Sequence, residues 1–201
     1  MQTHHYDEET ALLVVDIQND FADPEGALAV AGGEAVVEEV ANEIAAAIEA
    51  GAVVIYTTDW HPEQTPHFAT HGGPWPVHCV AGTWGSELHP RLPVRGPIVR
   101  KGEGHDDGYS GMNVRGVDGT VRPTALPGIL SEHGIKRVVV AGLATDYCVS
   151  ATATDLTEAG YETIVLAHAV AAVDVEPGDG EQALMRMADG GVRIVERAVS
   201  R

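Results

Sequence analysis

Arg137-Val138-Val139-Val140-Ala141, then a helical pattern from Asp146 to Glu158 stopped at Gly160, then Thr163-Ile164-Val165-Leu166: this stretch decides how the chain is read. Two short runs rich in β-branched residues flank one helical segment. Neither run alternates apolar with polar. A strand of that kind is buried on both faces, as in a parallel sheet covered by helices on each side. The pattern repeats outward in both directions. Upstream lie Ala11-Leu12-Leu13-Val14-Val15, Ala52-Val53-Val54-Ile55-Tyr56 and Pro97-Ile98-Val99; downstream lies Val192-Arg193-Ile194-Val195. Helical patterns separate them at Glu34–Ala50 (before Gly51), Ala125–His133 (before Gly134) and Glu181–Ala188 (before Gly190-Gly191). This alternation predicts an α/β fold, a three-layer sandwich with a mostly parallel six-stranded sheet flanked by helices and right-handed crossovers. No repeat, low-complexity tract or linker divides residues 1–201, which read as one domain.

Composition narrows the function. The chain has 201 residues, 44% of them hydrophobic, enough for a sizeable core and too many for a disordered chain. No stretch approaches the roughly 18 apolar residues of a membrane span. Met1-Gln2-Thr3-His4-His5-Tyr6 lacks the pattern of a secretory signal, so a cytoplasmic location is expected. Lys and Arg number 12 against 30 Asp and Glu, a net charge of −18, which argues against nucleic acid or an anionic membrane as partner. That surplus fits a salt-rich cytoplasm and an ordinary acidic protein equally. Two cysteines, Cys79 and Cys148, are too few for a disulfide framework and are expected as free thiols.

Periodicity fails between Asp59 and Gly96, a segment dense in His, Pro, Gly and Trp. A long irregular segment inside a compact domain is usually functional. In open α/β sheets the ligand sits beyond the carboxyl ends of the strands. Asp16 follows the first apolar run, Asp59 and His61 the second, Lys101 the third, and Gly142-Leu143-Ala144-Thr145-Asp146-Tyr147-Cys148 the fourth. Taken singly, an Asp there is usually a cap or turn residue, a Lys solvated and a Cys inert. Together they bring a thiol, an ammonium and a carboxylate to one sheet edge. Cys148 falls in the first turn of its helix, where the helix end and a nearby ammonium favour a thiolate. Asp16 is placed to take the thiol proton and return it to a leaving group. The backbone N–H groups of Ala144 and Cys148 are candidate oxyanion donors. That is acyl-transfer chemistry through a thioester.

In an extended Asp59-Trp60-His61, the outer two side chains share a side and can share an ion. His67, His71 and His78 follow. A carboxylate with two imidazoles suits Zn²⁺, Fe²⁺ or Mn²⁺. Cys79 reads either as a packed loop cysteine or as a further metal ligand, and His71 as either a ligand or a surface histidine. His4, His5, His89, His133 and His168 read as surface or hydrogen-bonding residues.

These residues are specific enough to carry a family resemblance. Val14-Val15-Asp16-Ile17-Gln18-Asn19-Asp20-Phe21, Asp59-Trp60-His61-Pro62, Gly72-Gly73-Pro74-Trp75-Pro76-Val77-His78-Cys79-Val80-Ala81-Gly82-Thr83, Lys101-Gly102, Tyr109-Ser110-Gly111 and Gly142-Leu143-Ala144-Thr145-Asp146-Tyr147-Cys148-Val149 span nearly the whole chain. The sequence resembles the nicotinamidases among the isochorismatase-like cysteine hydrolases. The resemblance implies that fold, a catalytic triad of Asp16, Lys101 and Cys148, and one divalent ion, zinc first, held by Asp59, His61 and His78. His67 matches a position that is a ligand in some members. Phe21 and Trp75 match the rings that flank the substrate ring, Tyr109 and Leu143 join the substrate site, and the Leu143–Ala144 peptide matches a cis bond. The implied reaction hydrolyses nicotinamide to nicotinate and ammonia in NAD salvage, with pyrazinamide as a second small-molecule substrate; a homo-oligomer is compatible with it. Two features depart from the family pattern: Met112 stands where many relatives have an aromatic residue, and Gly102-Glu103-Gly104-His105-Asp106-Asp107-Gly108 matches no motif. The nearest alternative keeps fold and nucleophile but hydrolyses another amide or a ureido compound. A non-enzymatic scaffold and a structural zinc loop are the remaining readings.

Overall fold

A computed structural model describes residues 5–104 and 106–196. His4 and His105 lie outside the described residues. In chain order the elements are β1 (Thr10–Val15), α1 (Asn19–Ala22), α2 (Gly33–Glu49), β2 (Val53–Asp59), β3 (Ile98–Lys101), β4 (Asn113–Arg115), β5 (Val121–Pro123), α3 (Leu126–Glu132), β6 (Arg137–Leu143), α4 (Ser150–Glu158), β7 (Glu162–Ala171), α5 (Asp179–Asp189) and β8 (Arg193–Val195). Six strands form one sheet in the order β3-β2-β1-β6-β7-β8, and every neighbouring pair is parallel. Strand order runs outward in both directions from the β1–β6 pair, so the topological switch point, where such sheets bind ligands, lies between those two strands.

The unbroken apolar run of β1 is explained by two cores. Leu12 and Val14 pack on one face with Val36, Val40 and Ile44 of α2. Ala11, Leu13 and Val15 pack on the other with Leu126 and Leu130 of α3, Ala153 and Leu156 of α4 and Met187 of α5. Alternate residues of the strand thus serve opposite layers, and all six β1 residues are fully buried.

Several strands extend further at their carboxyl ends than the apolar runs indicate. β2 reaches Asp59 and β3 reaches Lys101, so both polar groups are the last residues of strands rather than loop residues. The pairing of β6 with β7 shifts register between Val140 and Gly142. Two elements give no signal in the sequence. One is the single turn α1. The other is the antiparallel β4–β5 hairpin outside the main sheet, whose three-residue strands are too short and too exposed to show a period. Among the described residues no helix is long and apolar enough to cross a membrane.

Candidate active site

Asp16, Asp59, Lys101 and Cys148 meet at the carboxyl edge of the sheet. Asp16 sits just past β1 with φ +49°, a left-handed turn that Asp tolerates better than most side chains. Thr57 Oγ1 donates to Asp16 Oδ1 at 2.6 Å. Lys101 Nζ lies 2.8 Å from Asp16 Oδ2 and 3.3 Å from Cys148 Sγ, and it also contacts Asp59 Oδ1. The ammonium is therefore enclosed by two carboxylates and a sulfur, with Lys101 only 1% exposed.

The β6 end delivers the cysteine. A Cβ on Gly142 would lie 2.1 Å from Val15 O, and Gly142 has φ +126°, so only glycine lets β6 pass so close to β1 there. The Leu143–Ala144 peptide is cis. Thr145–Val149 then form a π-turn, with the Val149 N–H donating to Ala144 O at 3.0 Å, before α4 continues from Ser150. The helical start near Thr145 matches the sequence pattern; its wider π geometry does not follow from that pattern.

The two carboxylates are driven apart. Burial pushes the Asp16 carboxyl up, against the pull of Lys101. Burial also opposes ionisation of Asp59, yet Lys101 and His61 hold that carboxyl well below the usual carboxylate range. A raised carboxyl suits proton transfer near neutral pH, and a lowered one stays ionised. At Cys148 the helix position and burial pull in opposite directions. Burial raises the thiol well above its ordinary range, Asp16 and Asp59 add to this, and Lys101 opposes it. Burial thus favours the thiol over the thiolate, beside a carboxyl that burial also makes readier to hold a proton.

His61, His67 and His78 place one ring nitrogen each within 4.8 Å of one another, all buried. Asp59 Oδ2 faces them, 3.8 Å from His61 Nε2 and 4.0 Å from His78 Nε2. Both ring nitrogens of His61 are buried with no hydrogen-bond partner among the described residues, an arrangement that is costly unless an ion uses one of them. His78 Nδ1 bonds Pro76 O at 2.7 Å and His67 Nδ1 bonds Asp107 Oδ2 at 2.9 Å, which leaves Nε2 of each ring as the free donor to a metal. The residues fit a divalent ion of the Zn²⁺ type, with His67 inside the cluster. Asp59 touches both groups: one carboxylate oxygen faces the ammonium and the other faces the imidazoles.

A hollow enclosing about 370 Å³ of empty space, counted out to its open mouth, lies above these groups. Phe21, Trp75, Tyr109, Leu143 and Ala144 line it, as the sequence indicates, with His67, His78, Asp59 and Cys148. Trp75 Nε1 donates to Tyr109 Oη at 3.0 Å, fixing both rings. Tyr147, Leu28 and Val173 also line it and were not singled out from the sequence. Tyr147 packs edge-on to Trp75 with centroids 4.9 Å apart; its place beside Cys148 was the available signal. Asp146 holds Val173 in the wall by accepting from the N–H groups of Val173 and Asp174 at 3.0 and 2.9 Å.

Gln18 directly precedes α1. Its side chain pairs with the backbone of Asp59 like a strand neighbour. Nε2 donates to Asp59 O and Oε1 accepts from the Asp59 N–H, both at 2.8 Å, while Nε2 also reaches Ser86 O at 2.9 Å. Cys79 follows its packed-loop reading. It is fully buried, its Sγ lies 3.8 Å from Gly85 O, and neither ligand-type cluster among the described residues includes it. His71 is exposed beside Thr70, away from the imidazole cluster. His5 and His133 are exposed, His89 accepts from the Arg91 N–H, and His168 bonds Glu43. Met112 is buried in the core on the α3–α5 side and does not line the hollow.

Fold and site together define an α/β protein with a buried thiol–carboxylate–ammonium group next to a metal-competent imidazole cluster. Residues 10–199 match the isochorismatase domain family, and the chain belongs to that family. A nicotinamidase of Escherichia coli (strain K12) is 36% identical over 203 residues, covering 92% of this chain and 93% of that one. A pyrazinamidase of Pyrococcus horikoshii, solved in complex with zinc, superposes with a TM-score of 0.83 at 42% identity, covering 94% of this chain and 99% of that one. A protein of L. infantum, solved in complex with nicotinate, superposes with a TM-score of 0.86 at 33% identity, covering 97% and 96%.

Proposed function

We propose that this chain is a cysteine amidohydrolase that converts nicotinamide to nicotinate and ammonia, serving NAD salvage in the cytoplasm as a single catalytic domain. The observation that carries the chemistry is the position of Lys101 Nζ, 3.3 Å from Cys148 Sγ and 2.8 Å from Asp16 Oδ2, behind the Cys148 that lines an aromatic-walled hollow. The substrate is supported by the relatives' activities and by the imidazole cluster on the same wall. Asp59, His61, His67 and His78 would hold the ion, zinc in this reading. A divalent ion there supplies a Lewis-acid anchor for a ring nitrogen of the substrate.

The chain's own residues do the rest. Phe21 and Trp75 hold the flat ring by offset stacking, with Tyr109 and Leu143 completing its walls. Asp16 takes the proton of Cys148, and Sγ attacks the carboxamide carbon. The N–H groups of Ala144 and Cys148 hold the developing oxyanion, since donors in a helix's first turn lack an acceptor within the helix. Asp16 returns its proton to the departing nitrogen, so ammonia leaves and a thioester remains on Cys148. Asp16 then accepts a proton from water as its oxygen attacks the thioester; the acid product departs and Cys148 regains its proton. Lys101 stays charged throughout, held between Asp16 and Asp59, and stabilises each anion as it forms. Pyrazinamide, with a ring of the same size and a nitrogen in the same position, is accepted by the same site.

The test is ammonia release from nicotinamide by the zinc-loaded protein. One nicotinate per ammonia is expected, with activity lost on chelation and restored by Zn²⁺. No ammonia from nicotinamide or pyrazinamide, with another amide or a ureido compound hydrolysed instead, would overturn the substrate assignment.

A further inference from the structure

Among the described residues of the segment Gly102–Gly108, which matches no motif, the side chain of Asp107 reaches the site. Asp107 Oδ2 lies 2.9 Å from His67 Nδ1, and Asp107 Oδ1 accepts from the Gly108 N–H at 2.8 Å. The backbone of Asp107 is fixed as well. Its N–H donates to Arg115 O at 2.8 Å and its C=O accepts from the Arg115 N–H at 2.6 Å. Arg115 is the last residue of β4, so the exposed β4–β5 hairpin acts as the brace for this one carboxylate.

Of the three clustered imidazoles, His67 most needs an outside partner. His61 sits against Gly102, where a Cβ would come within 2.7 Å of its Nδ1, and His78 is tied to a carbonyl two residues away in its own loop. His67 comes from the irregular segment before Gly72, and its ring is oriented by a carboxylate 40 residues further along the chain. A carboxylate on Nδ1 fixes the tautomer so that Nε2 carries the lone pair, and it turns the ring toward the shared centre.

We infer that Asp107 is a positioning residue for the metal centre: held by the β4–β5 hairpin, it orients His67 so that all three imidazoles point at one ion. The inference rests on the metal reading above. It also assigns a purpose to the hairpin, because Tyr109 follows two residues after Asp107 and pairs with Trp75. One short segment thus carries both the brace for a metal ligand and a wall of the substrate hollow.

Zn²⁺ affinity, measured by competition with a chromophoric chelator, tests this in the full chain. Wild type should bind one Zn²⁺. Asp107→Ala should bind it about 10- to 100-fold more weakly. Asp107→Asn, whose amide oxygen still accepts from Nδ1–H, should recover most of that loss. In a His67→Ala background, Asp107→Ala should cause no further loss, which a merely structural role would not predict. Thermal melts of the metal-free proteins should coincide, since Asp107 is half-exposed and Asp107→Ala keeps its backbone bonds to Arg115. Wild type binding Zn²⁺ while Asp107→Ala binds it equally tightly would overturn the inference and leave the metal reading standing. Equal losses in the wild-type and His67→Ala backgrounds would also overturn it. Wild type binding no Zn²⁺ would overturn both.

Discussion

Asp59 is the residue on which the two halves of the site depend. One oxygen faces Lys101 and the other faces His61 and His78, so a change in either neighbour is felt by the other. Its position is set by Gln18, which pairs with both its backbone groups, while His61 is set by its packing on Gly102. Gly102 has φ +81°, and a methyl there would lie 2.7 Å from His61 Nδ1 and 2.8 Å from Cε1. The imidazole is buried and cannot retreat far. Gly102→Ala should therefore weaken Zn²⁺ binding at least about tenfold and lower stability by about 1 kcal/mol, the usual size of an unfavourable backbone substitution. Chelator competition and urea melts read both quantities; unchanged Zn²⁺ affinity would show that the ring is not held by that contact.

Gly142 sets the comparable constraint at the level of the β6 strand. The β1–β6 seam is the switch point of the sheet, and it closes tightly because Gly142 has no side chain: a Cβ would stand 2.1 Å from Val15 O. Gly142→Ala should force the strands apart, cost several kcal/mol by urea denaturation, and lower activity even where the fold survives, because Cys148 hangs from the end of β6. A variant within 0.5 kcal/mol of wild type would contradict this. The same comparison explains what was legible in the sequence. The six sheet strands were readable because burial on both faces leaves uninterrupted apolar runs, as in Leu12 to Val15. Asp16 and Lys101 were readable because each stands at the end of such a run, and Cys148 because it lies in the first turn of the helix that follows one. Gln18 was not, since its work is done through three backbone hydrogen bonds to residues 41 and 68 positions away. Asp107 was not, because its partner lies across an irregular segment and its support is a hairpin too short to leave a period. The opposing influences on Cys148 are also not local: helix position and one ammonium favour the thiolate, while burial and two carboxylates, set by the tertiary fold, raise the thiol.

At the scale of the whole molecule, the net charge of −18 acts against compactness. Exposed pairs such as Arg91–Glu34 and Arg137–Glu162 offset little of this, since surface ion pairs are worth about 0–1 kcal/mol each. Screening by salt weakens both effects, and the uncompensated repulsion is the larger. The melting temperature should rise by several degrees between about 10 mM and 1 M KCl. A fall would mean that the surface pairs outweigh the repulsion. The core should be indifferent to salt, because its two faces are apolar and the charge cluster around Lys101 is buried. That cluster is also where the functional account is decided. Its most direct test is ammonia release from nicotinamide by zinc-loaded wild type and Cys148→Ala, each with its Zn²⁺ content and melting temperature measured alongside. The account predicts at least about a 1,000-fold loss of turnover in Cys148→Ala with zinc content and melting temperature unchanged; turnover within tenfold of wild type would contradict it.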